Sequence, residues 1–116
     1  MQIEIEVSVL GDGIKQIRLI GRLDMKNVLL IDSSFSAAVS SGGGLIVLDI
    51  AGVDFMASIG IQLLLVGAKT VAGRGGRLVL CGAKPNVAKT LEVTGIDNII
   101  TMFDQTAEAI ARLREP

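Results

Sequence analysis

Residue types on which many enzymes and metalloproteins depend are missing from this chain. It contains no histidine, and Cys81 is its single cysteine. Without histidine, no Ser-His or Cys-His pair can activate a nucleophile within the chain, and ordinary zinc sites lose most of their ligands. One cysteine cannot form an intrachain disulfide, which is typical of a reducing compartment. The sequence therefore predicts a cytoplasmic protein that is not an enzyme and binds no metal or cofactor.

Basic stripes and long apolar runs are also absent. The formal net charge is -1, and acidic and basic residues are mixed along the chain, whereas nucleic-acid-binding surfaces concentrate Lys and Arg. The longest strongly apolar stretch, Ile59–Ala68, is too short to span a bilayer and contains Gln62. Met1–Glu6 has no basic region, so we expect no signal peptide. Neither nucleic-acid binding nor direct membrane insertion is predicted.

The apolar content of the chain is high, although its aromatic content is low. Half of the 116 residues are hydrophobic, and the aromatic residues are three Phe with no Trp or Tyr. This length is close to the usual size of one domain, and this apolar content suffices for a core without disulfides or metal. We therefore expect a single domain spanning residues 1–116 with an aliphatic core.

Hydrophobic periodicity predicts an alternation of strands and helices. Apolar and polar residues alternate over Ile3–Val9, a glycine-containing turn follows, and Ile14–Ile20 is a second strand, so the chain begins with a hairpin. From Asn27 the apolar residues recur with a helical period. Leu45–Ile50 is a short apolar run, which is typical of a covered strand.

The second half of the chain continues this alternation. The predicted elements are a loop at Ala51–Ala57, a helix at Ser58–Val71, strands at Arg77–Cys81 and Asn98–Met102, a helix at Asn86–Val93 and a final helix capped by Asp104. The predicted class is an α/β fold, a mixed sheet of four or five strands with about four helices mainly on one face.

Ser58 stands where the predicted loop meets the second helix. A serine at this place can accept a hydrogen bond from a free N–H of the first helical turn. The residue three positions later is Ile61 rather than Glu or Gln, so the reciprocal capping box is missing. A plain N-cap and a functional hydroxyl are both open interpretations of Ser58.

The order of several short motifs resembles the STAS domain of bacterial anti-sigma factor antagonists over nearly the whole chain. The matching motifs are Gly21-Arg22-Leu23-Asp24, Leu48-Asp49 with Val53-Asp54-Phe55-Met56, Ser58 with Gly60, Arg74-Gly75-Gly76-Arg77-Leu78, and Leu91 with Thr94-Gly95-Ile96. This resemblance implies that Ser58 is phosphorylated by a partner that is both serine kinase and anti-sigma factor, of the ATP-binding histidine-kinase-like type. The unphosphorylated form would bind that partner and free the sigma factor, and a serine phosphatase would reset the switch.

The resemblance also implies a partner-binding surface around Ser58. The expected contact residues are Asp24, Asp54, Met56, Ala57, Ser58, Ile59, Gly60, Gln62 and Leu63. For Asp24, a cap on the first helix is an equally open interpretation, and Asp54 and Met56 could equally be ordinary residues of the predicted loop.

The motif around Ser58 departs from the usual family pattern. The family usually carries Asp-Ser-Ser-Gly or Asp-Ser-Ala/Thr-Gly, whereas this chain has Ala57-Ser58-Ile59-Gly60. A divergent branch with its own kinase and a domain that binds constitutively are both consistent with this change. The alternative function is therefore a non-switching STAS subunit of a transporter or of a signalling scaffold.

Overall fold

Strands and helices alternate along the chain in the predicted order. The computed structural model describes residues 2–115, and Met1 and Pro116, which the predicted domain 1–116 includes, lie outside the described residues. The elements are β1 (Glu4–Val9), β2 (Ile14–Leu23), α1 (Met25–Ser40), β3 (Leu45–Met56), α2 (Ser58–Gly73), β4 (Arg77–Cys81), α3 (Pro85–Thr94), a 3-10 turn (Ile96–Asn98), β5 (Met102–Phe103) and α4 (Thr106–Arg114).

The five strands form a single sheet in the order β1-β2-β3-β4-β5. β1 and β2 are antiparallel, and the turn between them places Asp12 and Gly13 at positive φ angles of 63° and 74°. The remaining neighbours are parallel and are connected through helices. The predicted mixed sheet is confirmed, and the carboxyl ends of β2 and β3 lie at the same edge of it.

Helices cover the two faces of the sheet unequally. The larger core cluster lies beneath α1, α2 and α3 and includes Phe35, Leu64 and Leu91. The smaller cluster packs Val47 and its neighbours against α4 through Leu113. Phe35 is the one aromatic side chain buried in the described part of the chain, so the core is aliphatic as expected. The prediction of helices mainly on one face is confirmed.

β3 is twice as long as the sequence indicated. The predicted loop Ala51–Ala57 is wrong, because β3 continues to Met56 beside β2, with Leu23 opposite Met56. Pairing of this extension with β2 satisfies the backbone N–H and C=O groups that face β2. Apolar and polar residues alternate over Val53-Asp54-Phe55, but burial does not follow this alternation, since Val53 and Met56 are buried while Asp54 and Phe55 are exposed.

The last strand and the last helix also differ from expectation. The strand predicted at Asn98–Met102 is wrong: Ile96–Asn98 forms a 3-10 turn, and β5 comprises only Met102–Phe103. The final helix has Gln105 rather than Asp104 as its N-cap. No helix within residues 2–115 combines the length and the hydrophobicity needed to cross a membrane.

β1 is the edge strand, and its burial is uneven. Ile3, just before the strand, is 5% exposed, whereas Val7 and Val9 are 49% and 81% exposed. The half-buried strand predicted at Ile3–Val9 is therefore correct only at its beginning, because the helical layer does not extend over the outer end of this strand.

Candidate functional site

Two helices begin side by side at the carboxyl edge of the parallel strands. α1 follows β2 and α2 follows β3, and the backbone N–H of Ala57 donates a 3.0 Å hydrogen bond to the carbonyl of Leu23. This bond joins the two strand-to-helix junctions directly. Asp24 and Ser58 consequently lie close to one another, although 34 positions separate them in the sequence.

Ser58 is the first helical residue of α2 and is exposed. The N-cap is Ala57, in an extended conformation with φ -86° and ψ 169°, and no side chain caps this helix. The interpretation of Ser58 as the N-cap is therefore wrong. The carbonyl of Ala57 accepts from the N–H groups of Gly60 and Ile61, at 2.9 and 3.1 Å. An exposed hydroxyl thus lies at the positive end of a 16-residue helix.

Asp24 caps the neighbouring helix. Its Oδ1 accepts a 3.0 Å hydrogen bond from the backbone N–H of Asn27, and its Oδ2 lies 3.6 Å from Nε of Arg22. The Asn27 side chain donates to the carbonyl of Arg22 at 2.9 Å. The interpretation of Asp24 as a helix cap is confirmed, and its role as a partner contact stays a prediction.

The end of β3 is tied to the start of α3 by polar contacts. Asp54 forms an ion pair with Lys84, and its carbonyl accepts a 2.9 Å hydrogen bond from the Asn86 side chain. The Lys84 ammonium lowers the pKa of the Asp54 carboxyl below its ordinary value, through the hydrogen bond first and the charge second. Asp54 is exposed near the end of β3, four positions before Ser58 in the sequence, and its role as a partner contact stays a prediction.

Three predicted contact residues are buried beneath this surface. Met56 and Leu63 are 5% and 7% exposed. A Cβ at Gly60 would lie 2.8 Å from Cβ of Leu23 and 2.9 Å from Sδ of Met56. Glycine therefore allows α2 to begin close against the end of β2. Met56 and Gly60 are thus enclosed beneath the first turn of α2, which carries Ser58 and is called the Ser58 turn below. Their role as partner contacts stays a prediction.

Arg22 and Phe55 are surface residues that the sequence interpretation missed. They are opposite one another on β2 and β3, and the Arg22 guanidinium lies 4.3 Å from the centroid of the Phe55 ring, a cation–π contact. Phe55 is 38% exposed beside the Ser58 turn. The alternation at Val53-Asp54-Phe55 was a signal that β3 continues to Phe55, but nothing local in the sequence indicated the contact with Arg22.

The remaining predicted residues, Ile59 and Gln62, line a groove between α1 and α2, together with the largely buried Leu63. Ile59, Gln62 and Leu63 form its wall on the α2 side, just after Ser58. In the described part of the chain, no group of three or more His, Cys, Asp or Glu residues could hold a metal ion. The surface offers the exposed Ser58 hydroxyl, charged groups and apolar contacts, which are the elements of a binding site.

Known proteins with similar sequences and similar folds belong to one family. The family model described as the STAS domain matches residues 6–109. The anti-sigma F factor antagonist of Lysinibacillus sphaericus is 34% identical over 100 residues, covering 84% of each chain. An anti-sigma factor antagonist from Mycobacterium paratuberculosis superimposes with a TM-score of 0.88 over 98% of this chain and 96% of its own, at 20% identity.

The anti-sigma factor antagonist SpoIIAA is similar in two solved states. Its unphosphorylated form is 28% identical and superimposes with a TM-score of 0.79, covering 96% of each chain. The phosphorylated Bacillus SpoIIAA is 26% identical, with a TM-score of 0.72 over 96% of this chain and all of the other. The family match and the shared sheet topology establish that this chain belongs to the STAS domain family.

Proposed function

We propose that this chain is an anti-sigma factor antagonist controlled by phosphorylation of Ser58. In its unphosphorylated form it binds a cytoplasmic anti-sigma factor that is also its serine kinase, and the sigma factor is released. A serine phosphatase restores the binding form. The observation that carries this proposal is the exposed Ser58 hydroxyl, which stands at the first turn of α2 and is not the helix cap.

Phosphorylation at this position changes the surface and leaves the fold intact. A phosphoserine adds about -1.5 to -2 charges. The helix dipole and the free amides of the first turn stabilise negative charge there. A partner that packs against Ser58 would instead have to desolvate a bulky dianion, which is costly without a matching cation. The expected result is a folded protein that no longer binds.

The sequence similarity to SpoIIAA supports control by phosphorylation. SpoIIAA has been solved both with and without phosphate, and its identity to this chain is 26–28%. The change to Ala57 and Ile59 alters the residues on either side of the hydroxyl without enclosing it, because Ser58 stays exposed. A kinase that recognises this chain must accept an apolar residue at each of these neighbours.

The test uses the host's anti-sigma factor, identified as the ATP-binding protein that the wild-type chain retains from a lysate and then purified. Binding is measured by titration calorimetry for the wild type, Ser58→Ala and Ser58→Asp. We expect Ser58→Ala to bind like the wild type and Ser58→Asp to bind about thirtyfold or more weakly, the effect of about 2 kcal/mol of uncompensated charge.

Ser34→Asp is the matched control, because Ser34 is an exposed serine in the middle of α1. It should leave affinity unchanged. Incubation with the kinase and ATP, followed by phosphopeptide mapping, should place the phosphate on Ser58. Equal binding by all variants together with no phosphate at Ser58 would contradict the switch and favour constitutive binding.

A further inference from the structure

A groove between α1 and α2 begins next to Ser58 and continues away from it. It has a volume of about 230 Å³, and Phe35 is buried at its floor. Leu29 and Val66, on opposite walls, are 68% and 60% exposed. The residues lining this α1–α2 groove are Val28, Leu29, Asp32, Phe35, Ser36, Val39, Ser40, Ile59, Gln62, Leu63, Val66, Gly67 and Thr70.

The walls of the α1–α2 groove restrict what can occupy it. Both walls are helices, whose backbone groups are paired internally, so the groove offers no free strand edge. An extended peptide would bury N–H and C=O groups there without partners. A helix brings its own hydrogen bonds and can place one apolar face between the two walls. The wall from Ile59 to Thr70 is about 16 Å long, which accommodates about three helical turns.

Asp32 determines which charge a partner bound in the groove should carry. It is the one charged residue among those lining the groove, and it forms no ion pair within residues 2–115. An occupant that covers it must supply a cation, because an unpaired carboxylate is costly to desolvate. A second copy of this chain is a poor match, since a two-fold interface centred on the groove would place two concave surfaces, each with an Asp32 carboxylate, against one another.

We infer that the α1–α2 groove binds an amphipathic helix of the anti-sigma factor, with a basic side chain of that helix paired to Asp32. This inference rests on the proposed function, because it assigns a second contact to the same partner. Ile59, Gln62 and Leu63 make the groove continuous with the Ser58 turn. The groove provides apolar contact area for the anti-sigma factor, and the phosphorylation state of Ser58 controls whether that factor binds.

The test measures affinity of the purified anti-sigma factor for two groove variants of the full chain. Val66→Glu places a charge in the apolar wall, and we expect about tenfold weaker binding or more. Asp32→Asn removes the cation's partner, and we expect a loss of up to about fivefold with a weaker dependence on salt. Val93→Glu is the control, because Val93 is 75% exposed on α3, outside the groove.

The outcomes separate this inference from the proposed function. If Ser58→Asp loses binding while Val66→Glu and Asp32→Asn bind like the wild type, the groove inference is overturned and the switch stands. If the groove variants lose binding while Ser58→Asp does not, the groove is supported and the switch fails. Equal losses for Val66→Glu and Val93→Glu, or a wild-type dimer that Val66→Glu dissociates, would overturn the groove inference. Failure of any anti-sigma factor to bind the wild type overturns both.

Discussion

Asp24 and Ser58 occupy equivalent strand-to-helix junctions, but their side chains have different tasks. Asp24 is the N-cap of α1 and accepts from the backbone of Asn27. Ser58 is one residue further into its helix, because Ala57 takes the capping position. The sequence pattern alone favours a cap at both places. The one-residue difference leaves the Ser58 hydroxyl exposed and outside the cap.

Cys81 gives a prediction at the scale of one residue. It is 1% exposed, and burial raises the pKa of its thiol, while the 3.4 Å contact with Thr106 opposes that effect. The native thiol should therefore react with iodoacetamide far more slowly than the thiol of the urea-unfolded chain at the same pH. Rates measured from pH 7 to 10 test this.

The raised pKa of the Cys81 thiol also makes the stability of the protein depend on pH. Above the ordinary thiol pKa of about 8.5, the unfolded chain loses the Cys81 proton while the native protein keeps it. The free energy of unfolding should therefore fall as pH rises through this range. Cys81→Ala should lack this part of the pH dependence. Equal alkylation rates for native and unfolded wild type would contradict the buried, protonated thiol.

At the scale of elements, the carboxyl end of α1 is bound by two basic side chains from distant parts of the sequence. The Lys15 ammonium, on β2, donates to the carbonyls of Ala38 and Ser41 at 2.6 and 2.5 Å. Arg74, after α2, donates to the carbonyls of Val39 and Gly42. The last carbonyls of a helix need partners outside it, and positive charge is favourable there. Helical periodicity could not predict these contacts, because neither cation is near α1 in the sequence.

The contact between α1 and α2 gives a prediction at this scale. A Cβ at Gly67 would lie 2.7 Å from Cε2 of Phe35, so glycine sets the separation of the two helices. Gly67→Ala should lower the free energy of unfolding by about 1–3 kcal/mol, less any gain from helix propensity. Urea denaturation followed by circular dichroism measures the change.

Gly73 provides the matched control in the same helix. A Cβ at Gly73 would meet no atom within 4 Å, so Gly73→Ala should be neutral or slightly stabilising. If Gly67→Ala were as stable as Gly73→Ala, the helices would not be in contact at this point. Phe35 would then not form the floor of the α1–α2 groove.

For the whole molecule, the switch requires that negative charge at Ser58 leave the fold intact. Ser58→Asp should keep the free energy of unfolding or raise it by about 0.3–1 kcal/mol, because acidic groups are favourable in the first turn of a helix. Ser58→Lys is the matched variant and should be destabilising by a similar amount. Thermal unfolding at low salt measures both. A Ser58→Asp chain that unfolds at ordinary temperature would mean that lost binding reflects lost structure.

The sequence by itself determined the order of the elements, the aliphatic core and the absence of histidine chemistry. These features depend on residues that are close together in the chain, such as the hairpin turn at residues 11–13 and the helical period after Asn27. The motif order around Ser58 also led to the STAS family, which the family match to residues 6–109 confirms.

The tertiary structure alone decided the details of the site. β3 extends to Met56 because β2 continues beside it, and this places Phe55 against Arg22 and makes Ala57 the helix cap. The α1–α2 groove depends on two helices that 17 residues separate in the chain. Such features depend on pairing and packing between distant segments, and local periodicity carries no information about which segments will meet.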